Sequence, residues 1–236
     1  MNRILAFIFT LVFASLFASG ANAASPDDPL LFMLKADKLE LRDADEGTVS
    51  AWKGHIWAGK DLNKLWIKTE GERLDGDTES AEFQLLYSRA IDANWDLQLG
   101  LRHDSKPEPT RDWIAIGFYG VAPYFFEVDS AMFVNDDGQV NLRVDVEYEI
   151  MLTQKWVLAP EVEFNWFSKD DDDLDIGSGF ADIEAGIRLR YEITRQIAPY
   201  IGIHYEQLLG DTRDIARSAG EETSDTQAVV GIRFWF

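Results

Sequence analysis

The sequence has no cysteine. A disulfide framework, a thiolate metal site and a cysteine nucleophile are therefore all excluded. Basic residues are scarce: 22 Lys and Arg stand against 42 Asp and Glu, for a formal net charge of -20. That balance disfavours nucleic acid, because phosphate backbones are bound through released counterions and basic side chains. It suits cations, or simply a solvated acidic surface. Beyond Phe17 no segment approaches the roughly 18 consecutive apolar residues of a membrane helix, which leaves membrane strands untouched as a possibility. No G-x-S-x-G, H-E-x-x-H, phosphate loop or EF-hand spacing is present.

The apolar stretch that does occur is at the start. "MNRILAFIFTLVFASLFASGANAAS" has a positive charge at Arg3, an apolar run from Ile4 to Phe17, and a small-residue site at Ala21-Asn22-Ala23. It reads as a secretory signal peptide over residues 1–23, and a retained anchor would need a longer run. Residues 24–236 are then one domain with a short N-terminal segment, delivered to an oxidising compartment without disulfides.

That domain has a hydrophobic period of two. In "NLRVDVEYEI", Asn141, Arg143, Asp145, Glu147 and Glu149 alternate with Leu142, Val144, Val146, Tyr148 and Ile150. "NWDLQLGLRHD", "ADIEAGIRLRYE" and "APEVEFNWF" repeat the pattern, so strands carry one apolar and one charged face. Twelve such strands are predicted, at 30–42, 49–60, 63–73, 79–90, 94–104, 111–121, 124–134, 140–151, 156–168, 180–191, 198–209 and 225–236. They are too long for an ordinary sandwich, and long enough to cross an outer membrane at a tilt. An even count completes the signature of an all-β, antiparallel transmembrane barrel closed by its C-terminal strand. Its turns sort into short ones, near 61, 91, 122, 153 and 194, and longer acidic ones such as "KDDDDLDIGSG" and "GDTRDIARSAGEETS". Short turns belong on the periplasmic side and long loops outside.

Charge in hydrocarbon is costly, so the charged face should point inward. The expected lumen network comprises Glu70, Glu82, Asp96, Arg102, Glu127, Arg143, Asp145, Glu147, Glu161, Glu163, Asp182, Glu184, Arg188, Arg190, Glu206 and Arg233, with Asp129, Lys53, Lys64 and Lys68 on the same side. Such groups lock a narrow lumen through salt bridges, and a surplus of carboxylates draws cations. Tyr87, Trp95, Trp113, Tyr124, Tyr148, Trp156, Trp166 and Tyr191 lie toward strand ends and are expected in interfacial girdles, in contact with outer-membrane lipid. A rim-site hydrolase is the enzymatic alternative, built from His55, His103 or His204 with Ser88, Asp104 or Glu206. No catalytic motif supports it, and no catalytic residue is assigned. The closing "VVGIRFWF" puts Val230, Ile232, Phe234 and Phe236 on one lipid-facing stripe. Its terminal Phe236 resembles the signal by which the outer-membrane assembly machinery accepts its clients.

Four blocks resemble the copper resistance protein B family (CopB/PcoB). They are the segment from "NKLWIKTEGERLDGDTES" to "FEVDSAMFV", "LRVDVEYEIMLTQKWVLAPEVEFN", "GSGFADIEAGIRLRYEITRQIAPYIG" and the terminal "GIRFWF". The resemblance implies an outer-membrane protein of copper resistance that binds copper or passes it across the membrane, working beside a periplasmic multicopper oxidase. Members of that family often carry an N-terminal extension rich in Met and His, whose soft donors suit copper. Here "ASPDDPLLFMLKADKLELRD" offers Met33 and no histidine. On this reading any copper ligands come from the barrel: His55, His204, Met151, Met33, His103 and Met132. The alternative is a structural or weakly conducting barrel with a salt-bridged interior and no specific metal.

Overall fold

The structure, a computed structural model, describes residues 29–45 and 47–236. The expected signal peptide lies outside the described residues. Thirteen strands form one antiparallel sheet: β1 (Leu31–Ala44), β2 (Gly47–Gly59), β3 (Asn63–Leu74), β4 (Asp77–Ala90), β5 (Trp95–Lys106), β6 (Arg111–Ala122), β7 (Phe126–Asn135), β8 (Val140–Glu147), β9 (Ile150–Met151), β10 (Trp156–Phe167), β11 (Gly179–Tyr191), β12 (Ile197–Leu208) and β13 (Ser224–Trp235). Except for β8 and β9, successive strands pair with one another, and β13 pairs with β1, so the sheet closes on itself. β8 and β9 both pair with β10 in one continuous register, Glu147 opposite Glu161 and Ile150 opposite Leu158. They are one stave interrupted at Tyr148 and Glu149, and the barrel has twelve staves, as the period-two pattern predicts.

The two faces are chemically opposite. Leu41, Leu65, Leu99, Leu101, Ile114, Phe118, Ile187, Ile201, Ile203 and Val230 all stand exposed on the outside. So continuous an apolar belt is a liability in water and a requirement in a bilayer. Inside, Glu40, Arg42, Arg102, Glu161, Glu163, Arg188 and Arg190 are buried. Buried charges outnumber what any soluble core tolerates unpaired, and here they face one another across the lumen.

The seam is tied to the last residue. The Leu34 N–H donates to the Phe236 carbonyl at 2.8 Å, and the Phe236 N–H donates to the Leu34 carbonyl at 2.9 Å. Val230, Ile232 and Phe236 are exposed on the lipid side, as an alternating last strand requires.

Three details depart from the sequence expectation. In β1 the register shifts between Ala36 and Lys38, so Asp37 is an extra residue against β2. A bulge of this kind re-aims side chains, and it turns Lys35, Asp37, Lys38, Glu40 and Arg42 all toward the lumen. The segment expected as loop "GDTRDIARSAGEETS" contains a helix, α1 (Gly210–Ala219), ended by Gly220 at φ 83°, a left-handed conformation that suits glycine. It is pinned to the barrel rim where the Gly177 N–H donates to Thr212 Oγ1 at 2.9 Å.

The third departure is Trp113. It is not a girdle residue: it is 3% exposed inside the lumen, and its Nε1 donates to Asp104 at 2.8 Å. Along β6 the inward positions after Arg111 are Trp113, Ala115, Gly117 and Tyr119, so from Trp113 onward neither face carries charge and alternation alone does not mark the side. Trp156 does pack on Tyr191 at 4.9 Å between ring centroids on the outer face, and Phe126 on Tyr148 at 4.8 Å. Tyr124 projects from a 3₁₀ turn at Pro123–Phe125.

Candidate functional site: the charged lumen

Side chains on alternate positions of every stave converge on the barrel axis, and the strand pleat decides which meet. Toward the long-loop end, Glu40 on β1 accepts from Arg42 Nε at 2.8 Å, from the Tyr200 hydroxyl at 3.0 Å, and from Arg188 on β11. Arg188 also donates to Glu161 at 2.7 Å, and Lys38 holds the other Glu161 oxygen at 2.7 Å. Arg42 continues to Glu72 at 2.6 Å. Each guanidinium thus serves more than one carboxylate, as a rigid planar fork can.

A second group closes the middle. Lys53 Nζ on β2 lies 2.5 Å from Asp145, 3.2 Å from Glu163 and 3.4 Å from Glu70. Arg143 reaches Glu82 at 3.0 Å and Glu163 at 3.3 Å, while Arg102 binds Glu82 at 2.8 Å and Asp104 at 2.7 Å. Both guanidiniums lie over the Phe133 ring. Toward the short-turn end, Lys68 meets Asp129 at 2.5 Å, Lys64 meets Asp96 at 2.9 Å, Lys35 approaches Glu127 at 3.9 Å, and Arg190 and Arg233 share Glu149 at 2.6 Å each. Arg190 and Arg233 also reach Glu147, at 3.1 and 3.7 Å. Asp182 accepts from Asn165 at 3.0 Å. A cavity of about 110 Å³ remains beside this cage, bounded among others by Lys68, Glu70, Tyr119, Glu127 and Phe133.

The six histidine and methionine candidates are scattered. His55 is on β2, its Nδ1 3.2 Å from Asp37 and its ring 4.8 Å from that of Trp66. His204 is on β12, 2% exposed, its Nε2 3.7 Å from Glu184 and without a hydrogen-bond partner. Met33 faces the lumen at the short-turn end, opposite Trp57. Met151 has inward parity but lies in β9 at the barrel rim, 60% exposed. His103 and Met132 are on the lipid face, and His103 Nδ1 sits 2.8 Å from Asp112. Among the described residues no group of three or more His, Cys, Asp and Glu side chains is arranged to hold a metal ion. The soft donors that would suit copper therefore do not fit a resident copper centre here.

The largest group of lumen residues that sequence reasoning missed is in β1, beside Glu72, Asp104 and Asp225 on other staves. "KLELRD" alternates cleanly, Lys38, Glu40 and Arg42 against Leu39 and Leu41. The signal was present, but Lys35 and Asp37 belong to the opposite phase, and only the bulge reconciles the two.

The loop between β10 and β11 is tied to β6 and closed on itself. Arg111 donates to Asp171 at 2.7 Å, and the Ser178 N–H donates to Asp170 at 2.7 Å, which holds the Asp170 carboxyl below the ordinary aspartate value.

A closed twelve-stave barrel with a lipid-facing apolar belt and an ion-paired interior is an outer-membrane protein. Residues 30–236 match the family model "Copper resistance protein B precursor (CopB)". The chain is 41% identical over 210 residues to copper resistance protein B of Escherichia coli, covering 89% of this chain and 71% of that protein. It is 38% identical over 223 residues to a copper resistance protein B homolog of Pseudomonas syringae pv. tomato, covering 94% and 76%. The chain belongs to the copper resistance protein B family, a family of resistance proteins and not of enzymes. Among solved structures it is similar to the NanC porin, with a TM-score of 0.55 at 14% identity over 86% of this chain and 99% of the porin. That likeness concerns the fold alone.

Proposed function

We propose that this chain serves copper resistance as a barrel whose middle is held shut by ion pairs, a structural or weakly conducting element of the outer membrane without a selective copper centre in its lumen. The observation that carries this reading is the contact of Lys53 with Asp145, Glu163 and Glu70, which ties β2 across the lumen to β8 and β10 as well as to its neighbour β3. A pore for a partly hydrated ion needs free width and exchangeable ligands, whereas these carboxylates are already engaged by cations of the protein. The reading in which His55, His204 and Met151 hold copper has less support, because they stand on separate staves and at different depths.

Two partners belong to the proposal. The outer-membrane assembly machinery is one, on the strength of the strand that ends at Phe236. A periplasmic multicopper oxidase is the other; its docking place would be the short turns, and co-purification from copper-stressed cells tests it.

The decisive experiment pairs metal content with conductance for the full chain folded in detergent. Little conductance in a planar bilayer, and copper binding that is the same in wild type and in H55A/H204A/M151A, are expected, together with copper sensitivity of the deletion strain. Tight Cu(I) binding lost in that variant would restore the copper-carrier reading.

A further inference from the structure

Six inward carboxylates stand opposite one another in an unbroken row around half the barrel. Asp129 on β7 pairs with Asp145 on β8, Asp145 with Glu163 on β10, Glu163 with Glu184 on β11, Glu184 with Glu206 on β12, and Glu206 with Asp225 on β13. Like charges directly opposite across strands repel, so each needs neutralising. The first three are neutralised: Lys68 meets Asp129, Lys53 meets Asp145, and Lys53 and Arg143 meet Glu163. The last three are not. Among the described residues no lysine or arginine lies within salt-bridge distance of Glu184, Glu206 or Asp225, and the nearest guanidinium of β1, Arg42, is committed to Glu40 and Glu72.

A second observation, independent of the charges, falls on the same spot. His204 is 98% buried beside Glu184, and its Nε2 has no partner. Its cross-strand neighbour Gln227 has a buried Oε1 without a partner, and Asp225 has a buried Oδ1 without one. Buried polar atoms are nearly always satisfied, so three orphans around one carboxylate cluster call for a common partner.

We propose that Glu184, Glu206 and Asp225, with His204 and Gln227, bind a divalent cation as its hydrated ion. Direct ligation is not what the geometry offers, since no three acidic or imidazole groups here converge on one point. A cation that keeps its water shell has no need of such convergence, and small hard divalent ions shed water reluctantly. The shell also supplies what the site lacks. Gln227 Oε1 and Asp225 Oδ1 only accept hydrogen bonds, and polarised water presents several donors at once, where a shared proton would present one. The bare end lies toward the long loops, since Asp225 begins β13 and Glu206 nears the end of β12. The site therefore lies at the long-loop end, above the ion-paired middle, and is independent of any role in handling copper.

Mn²⁺ is a suitable probe, titrated into the full chain folded in detergent while free Mn²⁺ is followed by electron paramagnetic resonance. Wild type should take up Mn²⁺, and E184Q/E206Q/D225N should weaken that uptake by roughly tenfold or more. Asp129→Asn, at the neutralised end of the row, should leave it unchanged. Exchange-inert cobalt(III) hexammine should compete, because it mimics a hydrated ion and cannot be ligated directly. If the triple variant fails to fold, as judged by its mobility in unboiled gels, Glu206→Gln alone is read in the same way. No Mn²⁺ uptake by wild type, uptake unchanged in the carboxamide variant, or no competition by hexammine would each overturn the proposal.

Discussion

Lys53 on β2 donates to Asp145 on β8 at 2.5 Å, although these are the second and eighth of twelve staves and so stand on opposite walls of the barrel. One side chain thereby braces the full width of the lumen. Lys53→Met removes the cation and leaves Asp145, Glu163 and Glu70 facing each other. Breaking a buried pair by removing one partner costs about 3–5 kcal/mol, so the variant should unfold at distinctly lower urea concentration in detergent. It should also raise single-channel conductance, since the brace is gone. Unaltered conductance in a folded variant would show that the middle is shut by something else.

The seam makes a second prediction. Deleting Phe236 removes both hydrogen bonds to Leu34 and one exposed aromatic of the lipid stripe. Outer-membrane levels of the protein should fall while its transcript is unchanged. Heat-modifiable mobility in membrane fractions measures this directly, and normal levels would remove Phe236 from the assembly proposal.

Gly231 makes a third. A Cβ there would come 2.6 Å from the Tyr200 ring and 2.7 Å from the Leu39 carbonyl. Tyr200 in turn donates to Glu40 at 3.0 Å. Gly231→Ala should therefore destabilise the barrel by about 1–3 kcal/mol through overpacking, read as a lower thermal midpoint.

The rim anchor of the "KDDDDLDIGSG" loop makes a fourth. Arg111→Ala should expose residues 168–178 to protease, because Asp171 loses its guanidinium partner. Limited proteolysis of intact cells reads the difference. Acid should loosen the same loop in wild type. The folded Asp170 carboxyl is depressed by the Ser178 N–H, so its contribution is present above the unfolded value and is lost as pH falls through the folded one.

Much of this architecture is legible in the residue pattern, because a strand with one wet and one greasy face writes its period into the sequence. "NLRVDVEYEI" and "ADIEAGIRLRYE" declare both strand and side. The pattern fails where the physics is not periodic. The extra residue at Asp37 flips the phase within β1, β6 carries no charge on either face beyond Asp112, and helix α1 is a short amphipathic turn among loop-forming residues. Pairing across the lumen is a different matter. Alternation says that Lys53 points inward, but its partner on the far wall is set by tilt and stagger of the closed barrel, which no local spacing encodes. The same holds for His55 and His204, which both face inward and still stand apart.

The long reach of these ion pairs bears on how the protein comes to exist. Glu40 and Arg188 are 148 residues apart in the chain, and Lys53 and Glu163 are 110 apart. No partial barrel can discharge its own interior, since a chain lacking its final strands would hold Glu40 without Arg188 and Tyr200. The interior is thus fully paired only in a molecule whose two ends have met, and closing the barrel and neutralising its inside are one event.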